Sequence, residues 1–120
     1  MFLNYSNHNS KMWSMEQRNA AEQWGEIVDY PFPNVSAIAN DIEISNQAEH
    51  IVDEILKMQP SAVMCQGEST LTYSIVSKLL KNEIPVLAAC SERKAEEVVL
   101  EDGSVQKKTI FQFVKFRKYA

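Results

Sequence analysis

Three short polar stretches of this sequence carry side chains that can hold an anion or move a proton. They contain Ser6, Asn7 and His8, then Gln66, Gly67, Glu68, Ser69 and Thr70, then Ser91, Glu92 and Arg93. Each stretch follows a run of apolar residues. Together they offer an imidazole, a guanidinium, amides and hydroxyls, a donor-rich set that suits a polyanion.

Other common chemistries lack their residue patterns here. Neither Cys65 nor Cys90 has a plausible base beside it in sequence, so no nucleophile triad is visible. No metal-ligand spacing and no glycine-rich dinucleotide fingerprint occurs. The turn at Gly67 is too short for a phosphate-binding P-loop. His8 is the candidate for proton transfer, because imidazole titrates near neutral pH.

The elements that must position these stretches alternate between strands and helices. Apolar runs predict strands at residues 1–6, 26–30, 62–65 and 84–90. A capping-box pattern from Ser14 predicts a helix through residue 24. A second helix is capped by Asp41 or Ser45 and ends near residue 59. A third helix is capped by Ser69 or Thr70 and runs from the central strand.

The hydrophobic period changes after residue 90. Residues 97–100 and 105–116 flank Asp102-Gly103, which predicts an antiparallel β-hairpin. The fold class is therefore α/β: a small Rossmann-like, mostly parallel sheet flanked by helices on both faces, with the hairpin at one edge. The chain of 120 residues, 45% hydrophobic, is expected to form a single domain over 1–120.

Parallel α/β sheets bind ligands at the carboxyl ends of their strands. The three polar stretches follow the first, third and fourth predicted strands, so we expect them to converge at one sheet edge. The second strand ends instead in Pro31, Phe32 and Pro33, which predict an apolar wall.

The composition of the chain argues against some classes of binding partner. A net charge of −4 and a pI of about 5.2 argue against binding to duplex nucleic acid. No apolar run approaches the length of a membrane span. Cys65 and Cys90 both fall in apolar strand contexts and are interpreted as buried thiols in a reducing compartment, which predicts a cytoplasmic protein.

Each candidate site residue also has a purely structural interpretation. His8 would then be a surface turn residue, and Glu68 a partner of the helix dipole. Arg93 would pair with Glu92 or Glu96. These alternatives remain open at the level of sequence.

Other notable side chains are interpreted as structural. His50 lies mid-helix and is expected to be solvated, whereas Trp13 and Trp24 are expected in the core or an interface. The basic residues near the end of the chain are interpreted as edge-strand charges that discourage aggregation: Lys115, Arg117 and Lys118.

Several short motifs resemble one family. They are Ser6-Asn7-His8 with a following Trp-Ser-x-x-Gln, Cys65-Gln-Gly-Glu68 with Thr72-Tyr73, Ala89-Cys-Ser-Glu-Arg93, and Phe113-Val-x-Phe-Arg117-x-Tyr119. They look like the small CRISPR-associated single-domain proteins with a CARF-like (Rossmann-type) fold, among which are ring nucleases. The resemblance covers nearly the whole chain. Ser69 departs from that family's pattern, where a bulky aromatic follows the Gln-Gly-acid triplet.

The resemblance implies a homodimer that binds a cyclic oligoadenylate, with cyclic tetra-adenylate the expected ring, across its two-fold axis. It implies cleavage without a metal or cofactor, in which a ribose 2′-hydroxyl attacks its own 3′ phosphate. The implied catalytic residues are His8, as general acid or base, with Arg93 and Ser69 as phosphate stabilisers. The implied ligand-binding residues are Ser6, Asn7, Gln66, Gly67, Glu68, Thr70 and Ser91.

Two other functions stay open at this point. One is a non-catalytic sensor of the same ligand, which would differ only in whether the 2′-hydroxyl lies in line. The other is an unrelated small α/β module that binds nucleotides or flavins.

Overall fold

A computed structural model describes residues 1–120 and has the predicted α/β class. Its elements are β1 (Phe2–Ser6), α1 (Met15–Glu22), β2 (Ile27–Tyr30), α2 (Asp41–Met58), β3 (Ala62–Gln66), α3 (Ser69–Lys81), β4 (Val86–Val99) and β5 (Val105–Lys118). The sheet order is β2-β1-β3-β4-β5. The first four strands are parallel, and β5 runs antiparallel to β4. The prediction of a small, mostly parallel Rossmann-like sheet is confirmed.

Strand β1, which lies between β2 and β3, separates two hydrophobic cores. All five of its residues are buried, and alternate side chains point to opposite faces of the sheet. Leu3 and Tyr5 pack with the apolar faces of α2 and α3 in the larger core. Phe2 packs in the smaller core, where Trp13 and Trp24 lie against it. Helices therefore cover both faces, and the structural interpretation of the two tryptophans is confirmed.

The N-cap of helix α2 lies one residue before Asp41, the earlier of the two predicted caps. Asn40 is its N-cap, because the N–H of Glu43 donates to Asn40 Oδ1 at 2.9 Å and the Glu43 side chain returns to the Asn40 N–H. The prediction of Asp41 or Ser45 as the cap was wrong. Both of those residues lie inside the helix, where Asp41 faces the positive end of the helix dipole.

The predicted end of the fourth strand was also wrong. β4 does not stop at Cys90 but runs on to Val99, so the predicted strand and the first hairpin strand are one element. Strand β3 pairs with β4 only at Val86 and Leu87. The rest of β4 pairs with β5 alone, around a turn in which Gly103 has a φ of +85°.

We call the outer part of this hairpin, residues 91–113, the arm. The molecule measures 57 × 37 × 24 Å, a long shape for a chain of this size. No helix in the structure combines the length and the apolar character that crossing a membrane would require.

Candidate ligand site at the carboxyl edge of the sheet

A buried hydrogen-bond network fixes the loop that follows β1. Asn4 is fully buried, and its Nδ2 donates to the His8 carbonyl at 2.8 Å and to Asp29 Oδ1 at 2.7 Å. Ser6 Oγ donates to Asn4 Oδ1 at 2.6 Å and accepts from the His8 N–H at 3.2 Å. The Ser6 hydroxyl is therefore committed to the protein, although it was predicted to bind ligand.

Asp29, on β2, anchors the far end of the same loop. The N–H of Ser10 donates to Asp29 Oδ1 at 2.9 Å, and Ser10 Oγ donates to Asp29 Oδ2 at 2.7 Å. Arg18 in turn donates to the Ser10 carbonyl at 2.7 Å. Burial raises the pKa of Asp29, but hydrogen bonds from Ser10 and Asn4 outweigh it and leave that pKa below its ordinary value.

This network fixes the backbone of His8 and leaves its side chain exposed. The indole Nε1 of Trp13 donates to the His8 carbonyl at 3.1 Å, which adds a second donor to that oxygen. Asn7 and Asn9 beside it are exposed as well. Because its main chain is held by buried groups, the imidazole has a fixed point of attachment at the sheet edge.

The imidazole borders an open cavity of about 420 Å³, which we call the His8 cavity. It brings together His8 from the loop after β1, Gln66 from β3 and Ser91 from β4, as the sequence predicted for these three residues. Apolar and aromatic side chains supply most of the remaining wall. The full lining is His8, Met12, Trp13, Ser14, Gln17, Met64, Gln66, Ala89, Ser91, Phe111 and Phe113.

A second cavity, of about 350 Å³, lies on the other side of Gln66, and we call it the Tyr119 cavity. Gln66 Oε1 accepts from the Ala89 N–H at 2.9 Å, which fixes this amide between the two cavities. The Tyr119 hydroxyl donates to the Cys65 carbonyl at 2.9 Å. The lining of the Tyr119 cavity is Gln66, Gly67, Ser69, Thr72, Tyr73, Val76 and Tyr119.

The start of α3 is capped differently from the prediction. Glu68, and neither Ser69 nor Thr70, is the N-cap. Its carboxylate accepts from the N–H groups of Thr70 at 2.9 Å and Leu71 at 2.8 Å. These backbone hydrogen bonds hold the pKa of Glu68 below its ordinary value. The helix start is thus occupied by an anionic side chain, and Ser69 and Thr70 do not offer a free anion cradle there.

Arg93 lies within the arm and does not follow a strand end. It stands opposite Phe111 in the β4–β5 pairing, and its guanidinium carbon lies 5.7 Å from the centre of the Phe111 ring. It forms no ion pair with Glu92 or Glu96. Because Phe111 lines the His8 cavity, Arg93 borders that cavity without being part of its wall.

Gly67 is required by packing. A Cβ atom at this position would come within 2.4 Å of the Phe32 ring, which is itself buried. The predicted apolar wall from Phe32 therefore closes over the turn. This contact explains the glycine without any ligand, although Gly67 still lines the Tyr119 cavity.

We expect Gly67→Ala to lower the free energy of unfolding by about 1–3 kcal/mol, because the Phe32 ring has to move from its packed position. Urea denaturation measures the change. The double variant Gly67→Ala/Phe32→Leu is the control, and its loss should be smaller than the sum of the two single losses. Strict additivity of the two losses would contradict the contact.

Sequence reasoning gave no site role to Asn4, Ser10 or Asp29, and it named Tyr119 only within a motif of the family resemblance. Asn4 did carry a signal, because it is an amide within an otherwise apolar strand, where a buried polar group needs a partner. Its partner Asp29 sits on a strand more than twenty residues away, and no local pattern connects the two. His50 is exposed on α2, which agrees with its predicted solvated role.

The chemistry available at this edge is binding and proton transfer. The His8 cavity joins an imidazole, a fixed amide and the Ser91 hydroxyl to aromatic rings, and none of its lining residues is a carboxylate. Such a wall suits a ligand with both aromatic and anionic parts, for which rings supply stacking and polar groups fix orientation.

Comparison with protein families gave a match over nearly the whole chain. The model of the family described as "Uncharacterized protein MJ1673 family" matches residues 1–117. The chain belongs to this family. A search of the curated proteins and a search of the solved structures found no match.

Proposed function

We propose that this protein is a cytoplasmic homodimer that binds a cyclic oligoadenylate and cleaves it by metal-independent attack of a ribose 2′-hydroxyl. Such an activity would switch off type III CRISPR signalling. The proposal joins the resemblance of the sequence motifs to ring nucleases with the content of the His8 cavity.

The observation that carries the proposal is the meeting of His8, Gln66 and Ser91 in one cavity with aromatic walls and no carboxylate. Adenine rings can stack on Phe111, whose side chain is exposed, since every base presents a π-face to an aromatic side chain. The amide and hydroxyl can accept or donate to base edges and phosphates. The absence of carboxylates from the wall favours an anion even though the whole chain is acidic.

In this mechanism the nucleophile belongs to the substrate. The protein must align the 2′-hydroxyl with its phosphate, stabilise the charge that develops there, and protonate the leaving 5′ oxygen. His8 acts as the acid or base, because its imidazole is free while its backbone is held. Gln66 and Asn7 orient phosphate or adenine edges, with Ser91 as a further hydroxyl.

The roles of Ser69 and Arg93 change in the proposal. Ser69 contacts ligand only where the ring extends past Gln66 into the Tyr119 cavity. Arg93 reaches a phosphate from above the Phe111 ring. A ring of several phosphates is larger than one His8 cavity, so a symmetric ring shared by two copies is the natural arrangement.

One assay tests the function. The protein is incubated with cyclic tri-, tetra- and hexa-adenylate, and the products are separated by thin-layer chromatography and identified by mass spectrometry. We expect cleavage of at least one ring, with cyclic tetra-adenylate the first candidate. If none of the three rings binds, this function has to be given up.

The second candidate is a non-catalytic sensor of the same ligand. The positions of Ser69 and Arg93 favour it, because two of the three expected catalytic groups lie outside the His8 cavity wall. A bound ring that is recovered intact after long incubation would decide for the sensor.

We expect Arg93→Ala to weaken binding of the cyclic oligoadenylate that the protein recognises by about 1.5–3 kcal/mol. This is the loss expected for a charge-assisted hydrogen bond to phosphate. Isothermal titration calorimetry measures the change. Lys108→Ala is the matched control, because Lys108 stands opposite Glu96 on the other face of the same arm. Equal affinity of the two variants would assign Arg93 to packing on Phe111 alone.

A further inference from the structure

One edge of β4 is unpaired along the arm. Strand β3 reaches only Val86 and Leu87, so beyond the sheet β4 has β5 on one side and nothing on the other. All of its residues from Ser91 to Val99 are exposed. Open strand edges present free backbone donors and acceptors and pair readily with another strand.

The hydrogen bonds of the arm fix which residues point to this open edge. The Leu100 N–H donates to the Ser104 carbonyl at 2.8 Å, so this pair is hydrogen-bonded across the turn. Pairs alternate along an antiparallel ladder between hydrogen-bonded and non-bonded. Continuing the alternation down the arm, the residues whose N–H and C=O groups face the open edge are Ser91, Arg93, Ala95, Glu97 and Val99.

The charges along this edge are self-complementary. The sequence reads Arg93-Lys94-Ala95-Glu96-Glu97, with two bases before the alanine and two acids after it. When a second copy lies antiparallel about Ala95, Arg93 faces the partner's Glu97 and Lys94 faces the partner's Glu96. The two-fold axis repeats both pairs. Opposite charges directly across an antiparallel pair stabilise it.

We propose that two copies of this chain join through the β4 edges of their arms, antiparallel and centred on Ala95. A two-fold centred on any single residue of this strand pairs residues whose N–H and C=O groups face the same way, so hydrogen bonding alone does not choose the register. Charge does choose it. The neighbouring centres Arg93, Lys94, Glu96 and Glu97 each place a charged residue opposite its own copy, which is unfavourable, whereas Ala95 places none there.

The β5 edge does not offer the same pairing. Between Val105 and Lys118 it carries basic residues and no acidic one, so no pairing of two β5 strands gives an opposite-charge pair. Pairing β4 with the β5 of another copy joins different surfaces and does not close, which would build filaments. The β4 edge is therefore the surface that fits a second copy and closes as a dimer.

This pairing specifies the interface of the homodimer in the proposed function, and it rests on that homodimer. It does not depend on ligand binding or on cleavage. Its two-fold axis stands perpendicular to the joined sheet, so the same face of both arms looks the same way. That face carries Phe111 and Phe113, which line the His8 cavity. Both cavities would then open on one side, with the two Ser91 residues about 27 Å apart along the strands.

Charge exchange tests the pairing. By sedimentation velocity we expect the wild type to be a dimer at micromolar concentration. Lys94→Glu and Glu96→Lys should each raise the dimer dissociation constant about tenfold or more, because each creates two like-charge pairs across the axis. The double variant Lys94→Glu/Glu96→Lys restores opposite charges and should regain most of the affinity. Lys94 and Glu96 project from the face opposite Arg93, away from the His8 cavity.

Proline placement gives a matched second test. Ala95→Pro removes an N–H that faces the open edge of β4, and edge strands tolerate such a proline. Thr109→Pro removes an outward N–H at the same level of the arm on the β5 side. We expect the first variant to be monomeric and the second to remain dimeric, with both giving the circular dichroism spectrum of the wild type.

Several outcomes would overturn the pairing: a monomeric wild type, concentration-dependent filaments, or a dimer that is insensitive to the charge and proline variants. A dimer that responds as expected but binds no cyclic oligoadenylate would leave the pairing standing and overturn the proposed function. If these variants leave the dimer unchanged and it binds cyclic oligoadenylate, the proposed function would stand and the pairing would be overturned.

Discussion

Asp29→Ala is expected to lower the free energy of unfolding by about 3 kcal/mol, a large effect for one residue outside the hydrophobic core. The substitution removes the acceptor of three hydrogen bonds, from Asn4 Nδ2, the Ser10 N–H and Ser10 Oγ. Asn4 and Ser10 are buried, so their donors have little access to replacement water. Urea denaturation measures the loss, and Asp53→Ala, at an exposed position of α2, should stay within about 0.5 kcal/mol of the wild type.

The same residue gives a pH dependence with a defined sign. The pKa of Asp29 is lower in the folded protein than its ordinary value of 3.8. Its stabilisation is therefore complete above pH 3.8 and is lost as the pH falls from there through the folded pKa. Asp29→Asn should flatten this part of the stability profile. An unchanged acid limb in Asp29→Asn would mean that other carboxylates control acid unfolding.

The loss of Asp29 should also weaken ligand binding at the His8 cavity. Asn4 and Ser10 lose a shared anchor in Asp29→Ala, and the loop that carries His8 loses its tie to β2. Ligand affinity should fall together with stability, although Asp29 does not line the His8 cavity. Asp29 is in this sense a positioning residue.

The sequence predicted the body of the fold because its signals there are local. The apolar run of β3, the helical spacing of α2 and the Asp-Gly turn each depend on neighbouring residues. Parallel pairing followed from the alternation of strands and helices. These features decide where the carboxyl edge of the sheet lies, and hence that His8, Gln66 and Ser91 meet.

The length of the arm could not be read in the same way. Ser91, Glu92 and Arg93 are polar residues that are typical of a loop, and they carry no period-two apolar pattern. They are extended because β5 pairs with them, and Phe111 and Phe113 stand opposite Arg93 and Ser91. Cross-strand partners twenty residues away decide strand formation here, which is why β propensity depends on context.

The sequence identified polar residues of the site, but it did not predict which groups they hydrogen-bond to. Glu68 was recognised as a possible partner of the helix dipole, and it is in fact the cap. That single hydrogen-bonding choice removes the anion cradle expected from Ser69 and Thr70. The Ser6 hydroxyl is likewise engaged within the protein, because it donates to Asn4 Oδ1. In helix caps and buried networks, several donors and acceptors compete for the same partner. Sequence spacing does not show which of them forms the hydrogen bond.

His8→Ala should lower the rate of ring cleavage by about 10²–10⁴-fold while leaving ligand affinity nearly intact. The imidazole is the side chain in the His8 cavity whose chemistry suits general acid–base catalysis. Its backbone carbonyl, and not its ring, is what Asn4 and Trp13 hold, so the substitution should leave the loop in place. Single-turnover cleavage and calorimetric titration separate the rate from the affinity, and thermal unfolding checks that stability is kept.

His50→Ala is the matched control, since His50 is exposed on α2 and lines a different cavity. The wild-type pH–rate profile should contain a limb that His8→Ala loses and His50→Ala keeps. The products should carry a 2′,3′-cyclic phosphate, because the attacking hydroxyl comes from the substrate, and EDTA should leave the rate unchanged. A 5′-phosphate product or full inhibition by EDTA would indicate metal-assisted hydrolysis instead. Cleavage by His8→Ala at the wild-type rate would leave alignment by Asn7 and Gln66 as the source of catalysis and make His8 a turn residue.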